Sequence, residues 1–289
     1  MVVTALVSPP ELDRMRGRKR IPIGRLPTNN HVQVMKIISL QSGSNGNCFY
    51  VESGGVALLF DAGISGKQAQ DRLSEHGRDI RRVQALFISH DHSDHTRCLG
   101  VFQRKFNLPV YITRPTLLAV QMYQKVGKLA RVRLFTAGSS QSFGPVTVHT
   151  IPTPHDSVDG VMFVVEDATH RVGILTDLGH PFEELKAVLP SLDGVVIESN
   201  YDEAMLANGN YPEGLKRRIS GLGGHLSNRD AAMLLKEHAN GRLQWACLCH
   251  LSDENNEPAL AVQTHQDILG DRFPIHVAWR DRVGDLLEL

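Results

Sequence analysis

The sequence predicts an α/β chain with two packed sheets and helices on the outside, on three observations. Short β-rich apolar runs alternate with amphipathic stretches from Met35 to the end. Neither a Gly/Ser/Pro-rich linker nor a short internal repeat interrupts that alternation. The 289 residues, 42% apolar and 21% charged, are too apolar for disorder and long enough to bury a sizeable core.

The elements follow in order. Strands are predicted at 35–40, 47–52 (Asn-Cys-Phe-Tyr-Val-Glu), 56–60 (Val-Ala-Leu-Leu-Phe) and 84–89 (Gln-Ala-Leu-Phe-Ile-Ser). Helices are predicted at 66–76, 94–105 and 115–126, the last with Pro115 in a first turn, where a missing N–H costs nothing. A strand-rich middle follows at 132–135, 145–151, 161–166, 171–176 and 193–198. Helices at 202–208, 212–219, 227–239 and 257–268 then interleave with strands at 244–249 and 274–279. One domain is expected over 35–289. Residues 1–34, with Pro9, Pro10, Pro22 and Pro27 and no sustained apolar period, are expected to be a disordered basic leader, and Met35 is a candidate true start.

Charge excludes one class of function. The 31 basic and 31 acidic residues cancel, but residues 1–34 hold six basic and two acidic, leaving 25 basic against 29 acidic beyond them. A slightly acidic body does not coat nucleic acid broadly, so a phosphate-bearing substrate must be attracted locally. No apolar run reaches the roughly 18 residues of a membrane span, and the first residues lack a basic n-region. Four unevenly spaced cysteines do not make a disulfide framework, which points to a reduced, cytoplasmic protein.

The anomaly is histidine: there are fourteen, and three lie within six residues. In Phe87-Ile-Ser-His90-Asp91-His92-Ser93-Asp94-His95 an apolar strand delivers His90, and alternation lets His90 and His92 converge on one ion. Asp94 and His95 follow at the start of the next predicted helix, turned toward a second ion. Imidazoles mixed with carboxylates suit Zn²⁺, Mn²⁺ or Fe²⁺, whereas Ca²⁺ and Mg²⁺ sites are dominated by oxygen.

His-x-His-x-Asp-His after a strand resembles the signature of the metallo-β-lactamase superfamily. Further ligand positions of that family fall at strand ends, at His155, Asp177 and His250. The resemblance implies a four-layer αββα sandwich of two mixed sheets. It implies that His90, His92 and His155 hold one metal, Asp94, His95 and His250 the other, and that Asp177 bridges them. Zn²⁺ is the first expectation, with Mn²⁺ or Fe²⁺ as alternatives, and a hydroxide shared by the two ions is the expected nucleophile. Asp61, ending Leu58-Leu-Phe, matches a position that supports the ligand loop without touching metal; an ordinary helix cap is the other reading.

Intervals and motifs narrow the group. Asp177 stands where resemblance to most true metallo-β-lactamases would place a cysteine. The segment after His250 is short for a glyoxalase II-like helical region, and the interval from Asp177 to His250 leaves little room for the inserted domain of β-CASP nucleases. The interval from His155 to Asp177 has no room for the arm of tRNA 3′-processing enzymes. Ser39-Leu-Gln-Ser-Gly-Ser-Asn-Gly-Asn-Cys48, Phe60-Asp-Ala-Gly63, Thr153-Pro-His-Asp156, Thr176-Asp-Leu-Gly179, Glu198-Ser-Asn200, Gly224-His-Leu-Ser-Asn228 and His250-Leu-Ser-Asp-Glu-Asn-Asn256 are similar to the YycJ/WalJ-like hydrolases. That resemblance implies a phosphodiesterase or 5′→3′ exonuclease acting on DNA ends. A small-molecule hydrolase of thioesters, lactones or phosphoesters is the alternative on the same metals.

Three features add chemistry. In the tRNA-processing relatives a Glu–His pair like Glu198 and His225 is implicated in protonating the departing oxygen, so Asp94, Glu198 and His225 are the candidate catalytic groups. Ser44, Asn45, Gly46 and Asn47, in a glycine-bearing loop between two strands, are candidate phosphate contacts through backbone N–H groups, a plain hairpin turn being the alternative. Lys216, Arg217, Arg218 and Arg229 flank His225 as either phosphate contacts or a solvated face. Cys247 and Cys249, without a second pair, read as buried thiols.

Overall fold

In the computed structural model, which describes residues 34–289, two seven-stranded sheets are built from β1 (Lys36–Gln41), β2 (Cys48–Ser53), β3 (Val56–Phe60), β4 (Ala85–Phe87), β5 (Val110–Thr113), β6 (Val132–Phe135), β7 (Ser140–Phe143), β8 (Val146–Pro152), β9 (Val161–Glu166), β10 (Arg171–Leu175), β11 (Gly194–Glu198), β12 (Trp245–Cys249), β13 (Ile275–Val277) and β14 (Leu286–Glu288). Their orders are β14-β1-β2-β3-β4-β5-β6 and β13-β12-β11-β10-β9-β8-β7. Both sheets are mixed: β3 to β6 run parallel beside antiparallel β14, β1 and β2, and β10 to β13 run parallel beside antiparallel β7, β8 and β9. The expected leader at 1–34 lies, apart from Val34, outside the described residues.

Period-two alternation explains why nearly continuous apolar strands sort into layers. In β3, Val56, Leu58 and Phe60 enter the core between the sheets, while Ala57 and Leu59 face the other way. In β12, Trp245, Cys247 and Cys249 enter the same central core, while Ala246 and Leu248 face outward. Phe60 and Phe163, with ring centroids 5.0 Å apart, join the two sheets there. The outer face of the first sheet is covered by α1 (Gly66–Glu75), α3 (Leu99–Phe106) and α4 (Arg114–Tyr123), through Leu73, Phe102 and Val120. The outer face of the second is covered by α5 (Glu183–Val188), α8 (Asn228–His238) and α9 (Pro258–Leu269), through Leu185, Leu235 and Leu269. Short helices α2 (Ser93–Thr96), α6 (Glu203–Asn208) and α7 (Glu213–Ile219) line the loops at the strand ends. This is the four-layer αββα sandwich.

Four elements are absent from the sequence reading: β5, β7, α5 and β14. The helix expected at 94–105 is two helices, α2 and α3. They separate at Cys98, whose N–H donates to Ala62 O at 2.9 Å, so a tertiary bond to the turn after β3 replaces continuous helical pairing. The helix expected at 115–126 forms as α4, with Pro115 in its first turn and the Thr113 hydroxyl accepting from Thr116 N–H.

Candidate metal centre

The site is assembled at the C-terminal ends of parallel strands, where a mixed α/β sheet leaves a crevice. Asp61 follows β3, His90 follows β4, Asp177 follows β10, Glu198 ends β11 and His250 follows β12. Three of these, Asp61 (φ 64°), Asp177 (φ 55°) and His250 (φ 56°), hold left-handed backbone conformations. Asn107 is the one other described non-glycine residue with positive φ. Non-glycine residues enter this region at a cost, and here that cost turns the side chains out of the strand direction toward a shared centre. Gly63 is required by close approach: a Cβ there would lie 1.6 Å from Asp94 O.

Four overlapping groups place one ligand atom per residue within 4.8 Å of one another: His90, His92 and His155; His90, His95 and Asp177; Asp94, His95 and His250; and Asp177, Glu198, His225 and His250. Asp177 joins them. Its Oδ2 lies 3.2 Å from His95 Nε2, and its Oδ1 lies 3.6 Å from both His155 Nε2 and His250 Nε2. Asp94 Oδ2 is 3.4 Å from His95 Nε2 and 3.3 Å from His250 Nε2.

The hydrogen bonds behind the rings set which nitrogen faces inward. His95 Nδ1–H donates to Asp61 Oδ2 at 2.7 Å, which leaves Nε2 toward the centre. His155 Nδ1–H donates to Gly224 O at 2.8 Å, with the same result. His90 Nδ1 lies 2.9 Å from Ser89 Oγ, and its Nε2 is buried without a hydrogen-bond partner among the described residues. A buried imidazole nitrogen of this kind, grouped with Asp177 and further histidines, is a lone pair suited to an electrophile. The donor set therefore fits divalent cations.

Charge makes the same demand. Burial, helped by the neighbouring His95, holds His90 well below the usual histidine range, so its ring is neutral and able to ligate. Burial opposes charge on His250 too, but Asp177 and Asp94 outweigh it and push the group up to about 9. His95 is likewise raised against its burial by Asp177, Asp61 and Asp94. Against its own burial, Asp177 is held well below the usual carboxylate range by His250 and His95. The carboxylates thus draw positive charge into the centre, a need that metal cations meet better than protons on their own ligands.

Beside the centre, Glu198 is wholly buried. Its Oε2 accepts from Leu178 N–H (3.0 Å) and Leu226 N–H (3.1 Å), while Oε1 accepts from His225 Nδ1–H at 2.6 Å. A carboxylate fixed by two amides in turn fixes the His225 ring, whose Nδ1 is 3.7 Å from Asp177 Oδ1.

The family model of the metallo-beta-lactamase superfamily matches residues 42–225. The chain belongs to that superfamily. The exodeoxyribonuclease YycJ of Bacillus anthracis is 32% identical over 246 residues, covering 82% of this chain and 92% of the relative. The exodeoxyribonuclease WalJ of Streptococcus pneumoniae serotype 2 (strain D39) is 34% identical over 227 residues, covering 78% and 84%. Among solved structures, the metallo-beta-lactamase fold protein YhfI of Bacillus subtilis superposes with a TM-score of 0.68 at 17% identity, covering 89% of this chain and all of that one, which speaks to fold alone. This chain is a metallo-beta-lactamase-fold hydrolase, as the histidine motif leads one to expect.

All seven candidate ligands meet in one place, with Asp61 directly behind His95. In the loop at 44–47, two of the four backbone amides of the expected cradle are engaged within the protein. Gly46 N–H donates to Gly43 O and Asn47 N–H to Asp94 O, both at 2.8 Å, so these amides are spent inside the protein. Asn47 is buried, with Nδ2 within 3.2 Å of Asp94 Oδ2 and 3.0 Å of His95 Nε2. Asn45 Nδ2 donates to Arg280 O, and Ser44 O lies 3.4 Å from Arg97 Nη2. The loop braces the ligands. Cys247 and Cys249 sit in the central core, where burial pushes Cys247 up to about 12 and Cys249 well above its ordinary value. His180 Nδ1–H donates to Leu222 O at 2.8 Å, outside the four groups.

Three residues of the site carry no role in the sequence reading. Ser89 Oγ donates to Asp61 and also touches His90 Nδ1. Asn200 Nδ2 donates to His250 O at 2.7 Å. Asp156 Oδ1 lies 3.5 Å from His155 Nε2 and 3.8 Å from His92 Nε2. Asp156 and Asn200 fall inside motifs that carry the resemblance, and Ser89 is the last residue before His90, which is the available signal.

Proposed function

We propose that this chain is a two-metal phosphodiesterase that removes nucleotides from DNA ends in the 5′→3′ direction. The observation that carries this reading is the seat of Asp177, whose two oxygens touch histidines of both ligand sets, with the Glu198–His225 pair beside it. The two relatives at 32% and 34% identity are named exodeoxyribonucleases, which supports the substrate class. The excess of 29 acidic over 25 basic residues beyond position 34 favours contact with an end over a long bound duplex.

In this reading His90, His92 and His155 hold one ion, Asp94, His95 and His250 the other, and Asp177 spans them, Zn²⁺ being the first expectation with Mn²⁺ or Fe²⁺ as alternatives. Divalent cations held there supply Lewis acidity, lowering the pKa of water toward neutrality and offsetting charge on the attacked phosphate. Hydrolysis adds OH to phosphorus and H to the departing O3′. His225 holds the second proton at Nε2, because Nδ1–H is committed to Glu198. Asp94, with 16% side-chain exposure against 4% for Asp177, is the more open of the two candidate ligand carboxylates, and this reading assigns it the contact with the attacking water. Asp61 and Asn200 hold His95 and His250 in place.

Among the described residues no helix is long and apolar enough to cross a membrane. A cytoplasmic setting belongs to the same proposal and is supported by four free thiols, Cys48, Cys98, Cys247 and Cys249.

The test is digestion of the same duplex in linear and covalently closed circular form, with Mn²⁺ or Zn²⁺. Linear DNA should disappear while the circle persists. Equal attack on both would overturn end recognition. Attack on neither, by protein that hydrolyses bis(p-nitrophenyl) phosphate or a thioester, would overturn the nuclease reading.

A further inference from the structure

Arg218 stands in the last turn of α7, and its Nε donates to Asp156 Oδ2 at 2.6 Å. The other oxygen of Asp156 lies 3.5 Å from His155 Nε2. One carboxylate thus ties a guanidinium to the ligand cluster. Asp156 is itself fixed, because its N–H donates to Gly223 O at 2.9 Å. Arg218 is 60% exposed and commits only Nε, leaving both terminal nitrogens without a partner among the described residues. Arg218 and His225 line the same small cleft, with Asp156, Ile219 and Gly224. Lys216, by contrast, is spent on Ala207 O and Glu213.

A guanidinium with two free donors in a fixed fork is built to take phosphate oxygens in a bidentate fashion. Its place decides which phosphate. In the reading above the scissile group sits among the ligands and His225 serves the departing oxygen. Arg218 lines the same cleft as His225, one carboxylate farther from the ligands. When O3′ departs from a 5′ end, the nucleotide that leaves carries the 5′-terminal phosphate.

Resting on the exonuclease reading above, we infer that Arg218, oriented by Asp156, binds the 5′-terminal phosphate and makes phosphorylated 5′ ends the preferred substrate. Arg218 is a specificity-determining residue, and Asp156 is a positioning residue.

The experiment compares kcat and KM on a linear duplex with 5′-phosphate or 5′-hydroxyl ends, for the wild type and Arg218→Ala. The wild type should favour the phosphorylated end about ten- to hundred-fold in kcat/KM, mainly through KM, as expected of a charge-assisted contact made before the chemical step. Arg218→Ala should bring that ratio close to one, and Arg218→Lys should restore part of it. Metal content and melting temperature report whether either variant has lost its fold or its ions. A wild type indifferent to the phosphate, or a preference that survives Arg218→Ala, overturns the inference and leaves the nuclease reading standing. Failure to degrade any DNA end, by protein that cleaves bis(p-nitrophenyl) phosphate, overturns the nuclease reading and the inference with it.

Discussion

Asp61→Asn separates a metal-supporting carboxylate from one that merely caps a turn. The side chain is 2% exposed. Its Oδ1 accepts from Ser89 N–H at 2.8 Å, and its Oδ2 accepts from His95 Nδ1–H at 2.7 Å. Asparagine is nearly isosteric and tolerates the φ of 64°, so the backbone need not move. It can, however, accept at only one of the two positions. With the amide oxygen kept on Ser89, its NH₂ faces His95 Nδ1–H, donor against donor. His95 then either loses the bond or shifts its proton to Nε2, the nitrogen that faces the cluster. A conflict of this kind at a buried group costs about 1–3 kcal/mol, corresponding to roughly 10–100-fold in metal affinity. Competition against a chromogenic chelator should therefore show one of the two metal affinities weakened by that factor. The other affinity should change less, and far-UV circular dichroism should match the wild type. Two affinities equal to those of the wild type would refute the reasoning and return Asp61 to an ordinary cap.

Two further outcomes follow from particular groups. His225→Ala should retain both metals yet lose roughly 10²–10⁴ in rate on a phosphodiester whose leaving group needs a proton, and much less on a p-nitrophenyl ester; equal losses on both would remove His225 as the acid. His265 lies in the core side of α9, where burial lowers it to about 4 from 6.5 while its Nδ1–H donates to Ala261 O. Its folded value lies below its unfolded one, so the stability it contributes is complete above about pH 6.5 and is lost as pH falls toward 4, up to about 3 kcal/mol. Urea unfolding at pH 7 and pH 5 should show His265→Leu losing less stability than the wild type by about 2 kcal/mol, and parallel losses would contradict this.

Part of the candidate ligand set is legible in sequence because His90, Asp177 and His250 each follow a strongly apolar strand, the easiest kind of element to locate, while His92, Asp94 and His95 come with the histidine motif that His90 opens. The roles of Ser89, Asp156 and Asn200 could not, since a serine or asparagine acquires a partner only when distant strands are brought together. The loop at 44–47 shows the same limit. Its glycine indicates a special backbone shape, but that the carbonyls of Gly43 and Asp94 take the amides of Gly46 and Asn47 emerges only from the folded chain. Among the missed elements, β7 (Ser-Gln-Ser-Phe) is a polar edge strand with no apolar signal, and β14 is three residues whose pairing partner, β1, lies at the opposite end of the described chain. β5 is four residues running directly into α4, so its apolar content merges with a helix.

The most direct test of the account is digestion of a 5′-labelled linear duplex, in Mn²⁺ or Zn²⁺, by the wild type and by Asp177→Asn. Asp177 contacts both ligand sets, so its loss should abolish turnover while the strands that carry it, buried on both faces, keep the fold. Labelled mononucleotides are expected from the wild type and intact label with Asp177→Asn. Undiminished release by Asp177→Asn, or a wild type carrying two metals per chain that leaves the label on the DNA, would contradict this expectation.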